Sequence, residues 1–344
     1  MKKLDELMLD RRQALGLGLG GVASTAAFAL VGCGGGQAAP EASSTEASGS
    51  AAEASTSAAE ASASEAEAKM VQIDASAFDS LVDNGPVADD ASIEANEWAK
   101  KVKDAGKLRV GAVQTSQLFS LLNEVDNRVR GFDAGLYQLL TKYILGDASK
   151  HEVTLVQSST RESVLQSDQV DAVFATYTIN AERQKVISFA GPYFVGHQGI
   201  LVMADNTDIN SVDDLAGKVV GVQEGSNGRA VMEEFAPNAE VQELGTDEEL
   251  RTALEQKRID AYVVDATLHM GNMISNPGKY RMAAEFGPED PLGIGLPLDS
   301  DGVDFVNEFL SKIEQDNIWA DLWKVCIGER TGIDDVPEPP TIGA

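Results

Sequence analysis

Thr176 and Asp265 close two segments that echo one another. The stretches 165–176 and 254–265 each carry a leucine, a polar turn, a Val/Ile-Asp-Ala step and an apolar run at the same spacing. The steps are Val170-Asp171-Ala172 and Ile259-Asp260-Ala261. Each stretch therefore predicts a helix, a turn and a strand, with Thr176 and Asp265 at equivalent strand ends. Ligands of open α/β sheets bind beyond the carboxyl ends of strands. Two related units facing one another would then turn Thr176 and Asp265 toward one cleft. A third segment, Gly225-Ser226-Asn227-Gly228, opens a predicted helix. Unpaired N–H groups at such a start favour an anion. Other reactive types give less. His151, His197 and His269 are too scattered for a metal set, and His197 has no evident partner for acid–base work. Cys33 and Cys326 supply neither a zinc site nor a redox pair. Gly16-x-Gly18-x-x-Gly21 fits a dinucleotide pattern but follows no strand.

The elements that must position these residues alternate. Trp98, Val102 and Leu108 suggest an amphipathic helix leading into a strand at 108–113. Helices are expected at 132–145 and 161–166, and strands at 153–156 and 172–176. A second series offers strands at 200–203, 219–222, 241–244 and 261–265. Helices at 228–234, 248–256 and 268–274 lie between them. Alternation of this kind predicts α/β lobes with largely parallel sheets. Val303, Val306, Phe309, Leu310 and Ile313 recur at helical spacing, and 318–326 forms a further helix with Trp319 and Trp323. These aromatics and Cys326 are expected in the core.

The chain has 344 residues, enough for about two domains. A net charge of −28 argues against nucleic acid, which needs clustered Lys and Arg. It also argues against electrostatic adhesion to an anionic membrane. It leaves an anionic ligand open, because a cleft can carry local positive charge. Residues 1–32 read as an export signal. Lys2, Lys3 and the Arg11-Arg12 pair precede an apolar run that ends in Leu30-Val31-Gly32-Cys33. That ending resembles the lipobox of bacterial lipoproteins, in which the cysteine takes a diacylglycerol. The arginine pair resembles a twin-arginine signal, and Asp5, Glu6 and Asp10 leave the export route open. Most of 34–69 is Ala, Ser, Gly and Glu with no aromatic. Such a stretch buries too little apolar surface to offset ordering entropy, and a tether spanning 33–92 is expected.

Several separated pieces then agree with one family. They are Val129-Arg130-Gly131-Phe132-Asp133, Thr176 to Arg183, Phe189 to Tyr193, Asp214 to Lys218, Gly225-Ser226, Ile259 to Asp265, and Gly293 to Leu296. From about residue 95 to residue 328 the chain resembles the polar amino-acid solute-binding proteins of ABC importers, extracellular family 3, of the glutamate- and glutamine-binding type. The resemblance implies a two-lobed periplasmic-binding-protein fold. Lobe 1 would comprise 93–197 and 288–334, lobe 2 would comprise 198–287, and 335–344 would be a tail. Crossings near 195–199 and 285–292 would be the hinge.

The resemblance also implies roles. Arg183 would take the α-carboxylate in a bidentate fork, completed by backbone N–H groups of Ser226 and Asn227. Asp265 would pair the α-ammonium, with the Thr176 carbonyl and the Thr178 hydroxyl. Arg161 matches an arginine that binds the distal carboxylate of acidic ligands, which favours glutamate or aspartate over uncharged ligands; glutamate is the first expectation, then aspartate or glutamine. Phe119 would form an aromatic wall, and Gln114 or Asp247 could line the same end. In relatives glycine often occupies the helix–strand turns where Asp168 and Lys257 stand. The partners implied are an amino acid, ABC permease and ATPase subunits, and a membrane through the lipid on Cys33, with no metal or other cofactor. The alternatives are a ligand-sensing receptor domain and a dehydratase-type enzyme on the same fold.

Overall fold

The computed structural model describes residues 72–343. The export signal, Cys33 and the stretch to residue 69 lie outside the described residues. Three helices come first: α1 (Ala75–Asp83), α2 (Asp90–Glu94) and α3 (Glu97–Ala105). Asp74, Asp89 and Asn96 cap them, each accepting a backbone N–H at 2.9 Å. Phe78, Val82 and Ile93 are buried. This corrects the expectation of a tether reaching residue 92. The entropy argument holds for an Ala/Ser/Glu tract, but these three apolar side chains and two acidic caps fall beyond it.

The following elements alternate as expected: β1 (Leu108–Ala112), β2 (Thr115–Ser116), β3 (Ser120–Asn123), β4 (Arg128–Arg130), α4 (Phe132–Leu145), β5 (His151–Leu155), α5 (Arg161–Gln166), β6 (Ala172–Thr178) and β7 (Ser188–Met203). Then come β8 (Val219–Gln223), α6 (Gly228–Phe235), β9 (Glu240–Leu244), α7 (Asp247–Glu255), β10 (Ala261–Asp265), α8 (Ala266–Ser275) and β11 (Tyr280–Leu296). The last elements are α9 (Gly302–Gln315), α10 (Ile318–Trp323), a π-helical turn at Lys324–Gly328 and a short α11 (Glu329–Thr331). Cys326 is buried within that turn.

The main sheet has the order β5-β1-β6-β11-β7-β10-β8-β9. It consists of two parallel units, β5-β1-β6 and β10-β8-β9, joined through the long antiparallel pair β7 and β11. The first half of β7 and the second half of β11 belong with β6, and their other halves serve the β10 side. Between the halves the register slips, from Phe286 opposite Gln198 to Asp290 opposite Gly196. Each unit has its own core. Val156, Leu165, Val170, Val173 and Tyr177 pack in the first; Ile200, Val220, Val222, Met232 and Val263 pack in the second. The result is two α/β lobes connected by two crossing strands. The β2-β3-β4 meander on lobe 1 and the full length of the crossing pair were not evident in the sequence.

Candidate functional site

The sheet order sends the carboxyl ends of β6 and β10 toward the junction of the lobes. Ser158, Arg161, Thr176, Thr178 and Arg183 come from one lobe and Gln223, Ser226, Asn227, Val264, Asp265 and Leu268 from the other; with Asp290 of β11 they line one cleft. Seven of the eight ligand-binding residues expected from the sequence thus meet in one place. Phe119 does not. It is fully buried and packs edge-on against Phe132 and Phe194, at ring distances of 6.1 and 5.4 Å. Its loop turns inward onto α4, where Leu118 and Phe119 carbonyls accept the N–H groups of Phe132 and Ala134. Asp247 is likewise outside the lining, held by Arg251 and Asn272 at 2.8 and 2.9 Å.

Local structure explains how the polar residues are aimed. Thr176 sits at φ 43, a left-handed kink inside β6. Its N–H goes to the buried Asp133 carboxylate at 2.8 Å, and Asp133 also accepts the Tyr193 hydroxyl at 2.7 Å. Burial pushes Asp133 up to about 6. Beyond the kink, Thr178 offers its carbonyl to Arg183 Nη1 at 2.7 Å. Arg183 starts a short helical turn, its N–H accepted by the Asn180 side chain.

Two guanidinium groups lie close together here. Arg161 donates to the carbonyls of Ala175 at 3.1 Å and Gly225 at 3.3 Å; Arg183 Nη2 donates to the same Gly225 carbonyl at 3.0 Å. Both lie over the Tyr177 ring, at 4.1 and 4.9 Å. Arg183 Nε stands 3.5 Å from Glu162, whereas Arg161 forms no carboxylate ion pair among the described residues. Burial, and then the charge of Arg183, push Arg161 down to about 10. Burial lowers Arg183 as well. Such a pair, desolvated and under-neutralised, is built to receive an anion.

Opposite stands Asp265, the last residue of β10. Its Oδ1 accepts the Thr267 N–H at 2.8 Å and the Thr267 hydroxyl, while Oδ2 is buried without a hydrogen-bond partner. Burial pushes Asp265 up to about 7, with nearby Asp290 adding to the rise. The Gly225 loop folds on itself: the Ser226 N–H and hydroxyl both donate to the Gln223 carbonyl, at 3.1 and 2.6 Å. Asn227 turns its amide to Asp290. Gln198 and Asp290, also buried, were missed by sequence reasoning, as was the anchoring role of Asp133. His269 is a core residue held by the Tyr262 carbonyl, and burial lowers it to about 4.

Several known proteins are similar to this chain. A glutamine-binding protein of Geobacillus stearothermophilus is 38% identical over 197 residues, covering 57% of this chain and 74% of the relative. The ABC transporter glutamine-binding protein of Bacillus subtilis is 32% identical over 244 residues, covering 69% and 88%. A glutamate-binding protein of Corynebacterium glutamicum is 29% identical over 235 residues, covering 65% and 79%. Among solved structures, the cysteine-binding protein from Campylobacter jejuni superposes with a TM-score of 0.65 at 25% identity, covering 70% of this chain and 96% of that one. Residues 108–328, which hold every strand of the main sheet and every residue lining the cleft, match the pattern of a single family: the chain belongs to the bacterial extracellular solute-binding proteins, family 3.

Proposed function

We propose that this protein binds a polar amino acid outside the cytoplasm and delivers it to an ABC importer, with glutamate as the first ligand and aspartate or glutamine next. One observation carries the reading: two buried guanidiniums from lobe 1 and a buried carboxylate from lobe 2 face a single cleft. An α-amino acid presents a carboxylate and an ammonium on one carbon. Arg183 and Asp265 suit these two groups, and closure of the lobes lets each wall neutralise its share. Arg161 is a second cation, which favours a ligand with a second carboxylate. Thr176 and Thr178 add oxygen acceptors beside the ammonium, and Ser226 and Asn227 flank the carboxylate. The names of the relatives, glutamine- and glutamate-binding, support the same ligand class.

The proposal extends to the address. The Leu30-Val31-Gly32-Cys33 ending supports export and lipid attachment at Cys33, which would hold the lobes near a permease. Two acyl chains suffice for a stable anchor. Among the described residues no helix is long and apolar enough to cross a membrane. The decisive experiment is calorimetry of the protein, unfolded and refolded to strip carried ligand, against a panel of amino acids. Tight binding of glutamate, with weaker aspartate and glutamine, supports the assignment; absence of heat with every amino acid sinks it.

A further inference from the structure

Asp290 is a buried carboxylate in the cleft for which the sequence offered no role. Its Oδ2 accepts Gln198 Nε2 at 2.6 Å and Asn227 Nδ2 at 3.0 Å, and its Oδ1 accepts the same Asn227 amide at 3.2 Å. Among the described residues it forms no ion pair, and neither does Asp265. The two acids are neighbours through one glycine. Asp290 stands opposite Gly196 in the β7–β11 ladder, and a Cβ on Gly196 would fall 2.2 Å from Asp265 Oδ2. Hydrogen at that position leaves the space between strand and carboxylate open. Asp290 adds to the burial that opposes ionisation of Asp265, and a cation placed beside the two carboxylates relieves that opposition.

We propose that Asp290 is a second counter-charge for the ligand's ammonium, paired with Asp265 across Gly196 and aimed by the amides of Gln198 and Asn227. This inference rests on the amino-acid-binding reading above and adds a specificity to it. With a second carboxylate beside Asp265 in a cleft that also holds two guanidiniums, the site selects ligands that keep their ammonium. It discriminates against deaminated acids, whose hydrogen or oxo group leaves both carboxylates uncompensated. Asn227 gains a side-chain role here as a positioning residue, reaching from the start of α6 to the crossing strand.

The test compares amino acids with their deaminated counterparts: glutamate with glutarate, and glutamine with glutaramate. Affinities of the wild type, Asp290→Asn and Asn227→Ala are measured by calorimetry, with the deaminated acids as displacing competitors. Asp290→Asn is expected to weaken the amino acid at least tenfold and to leave its counterpart unchanged or tighter, so that the ratio of the two affinities narrows at least tenfold. Asn227→Ala should narrow it by a smaller factor. Thermal melts check folding, and should Asp290→Asn not fold, Asn227→Ala carries the test alone. Equal losses for both members of a pair would make Asp290 merely structural, and an unchanged or widened ratio would equally overturn the inference. Wild-type protein that bound no amino acid at all would overturn the function proposed above, and this inference with it. Wild-type binding with an unchanged ratio would overturn the inference alone.

Discussion

Arg161 and Arg183 converge on one carbonyl, that of Gly225, from the opposite lobe. A neutral acceptor shared by two cations leaves much of their charge uncompensated, so an anionic group beside them gains from both. Removing Arg183 would strand the ligand's α-carboxylate in a site that excludes water. Arg183→Ala is expected to weaken binding by about 2–5 kcal/mol, read by calorimetry; a dissociation constant near that of the wild type would reject the role. In the proposed reading Arg161 faces the other end of the ligand. Arg161→Ala should cost glutamate about 1.5–3 kcal/mol, the worth of a hydrogen bond to a charged group, and glutamine less. Equal losses for the two would assign Arg161 to packing over Tyr177 instead. These arginines were legible because Thr178 to Arg183 and Ser158 to Arg161 are compact stretches of chain. Asp290 was not, because its meaning depends on Gly196, nearly a hundred residues away in sequence, being opposite it in a ladder.

At the scale of elements, the helix–strand turns carry a local cost visible beforehand. Asp168 and Lys257 stand just past α5 and α7 at φ 53 and φ 58, the left-handed conformation that glycine adopts most easily. Asp168 is compensated: its carboxylate meets Lys101 at 2.8 Å and Arg109 at 2.7 Å. Lys257 forms no ion pair among the described residues. Lys257→Gly is therefore expected to raise stability by about 0.5–1 kcal/mol in urea denaturation, the relief of a left-handed L-residue less the entropy of a glycine. Asp168→Gly should not, since it gives up both cation contacts. The same locality explains which elements could be read in advance. Helices at Phe132–Leu145 and Arg161–Gln166 and the strand Ala261–Asp265 follow from periodicity and turn residues within a short window. The crossing strands β7 and β11 do not, for their pairing joins residues about a hundred positions apart and slips register midway. Phe119 was misplaced for a related reason: an aromatic in a loop has no period to say which way it faces, and here two other rings, Phe132 and Phe194, claim it for the core.

For the whole molecule, closure brings backbone to backbone as well as charge to charge. Gly225 lies against Ser159 across the cleft, where a Cβ would come within 2.5 Å of the Ser159 Cα, and Gly271 lies against Gln117. Asp265 and Asp133 are both buried, and that burial makes folding itself sensitive to pH. Asp265 is pushed up to about 7 and Asp133 up to about 6, against an ordinary value of 3.8. A carboxyl whose folded value lies above its unfolded one binds a proton more tightly in the native state. The stability it contributes is complete below the unfolded value and is lost as pH rises through the folded one. Between about pH 5 and pH 8 the ligand-free protein should thus lose on the order of 2–3 kcal/mol through Asp265, with a further loss through Asp133 over a slightly lower range. A ligand ammonium beside Asp265 favours its ionised form, so binding releases a proton near neutral pH and affinity rises through pH 7. Thermal denaturation at several pH values, with and without saturating ligand, reads both effects. The ligand-free curve should fall toward alkaline pH, saturating ligand should flatten it, and Asp265→Asn should remove the larger part of the slope while leaving the portion due to Asp133. A slope that survives Asp265→Asn unaltered would move the titration elsewhere and deny Asp265 its place facing the ammonium.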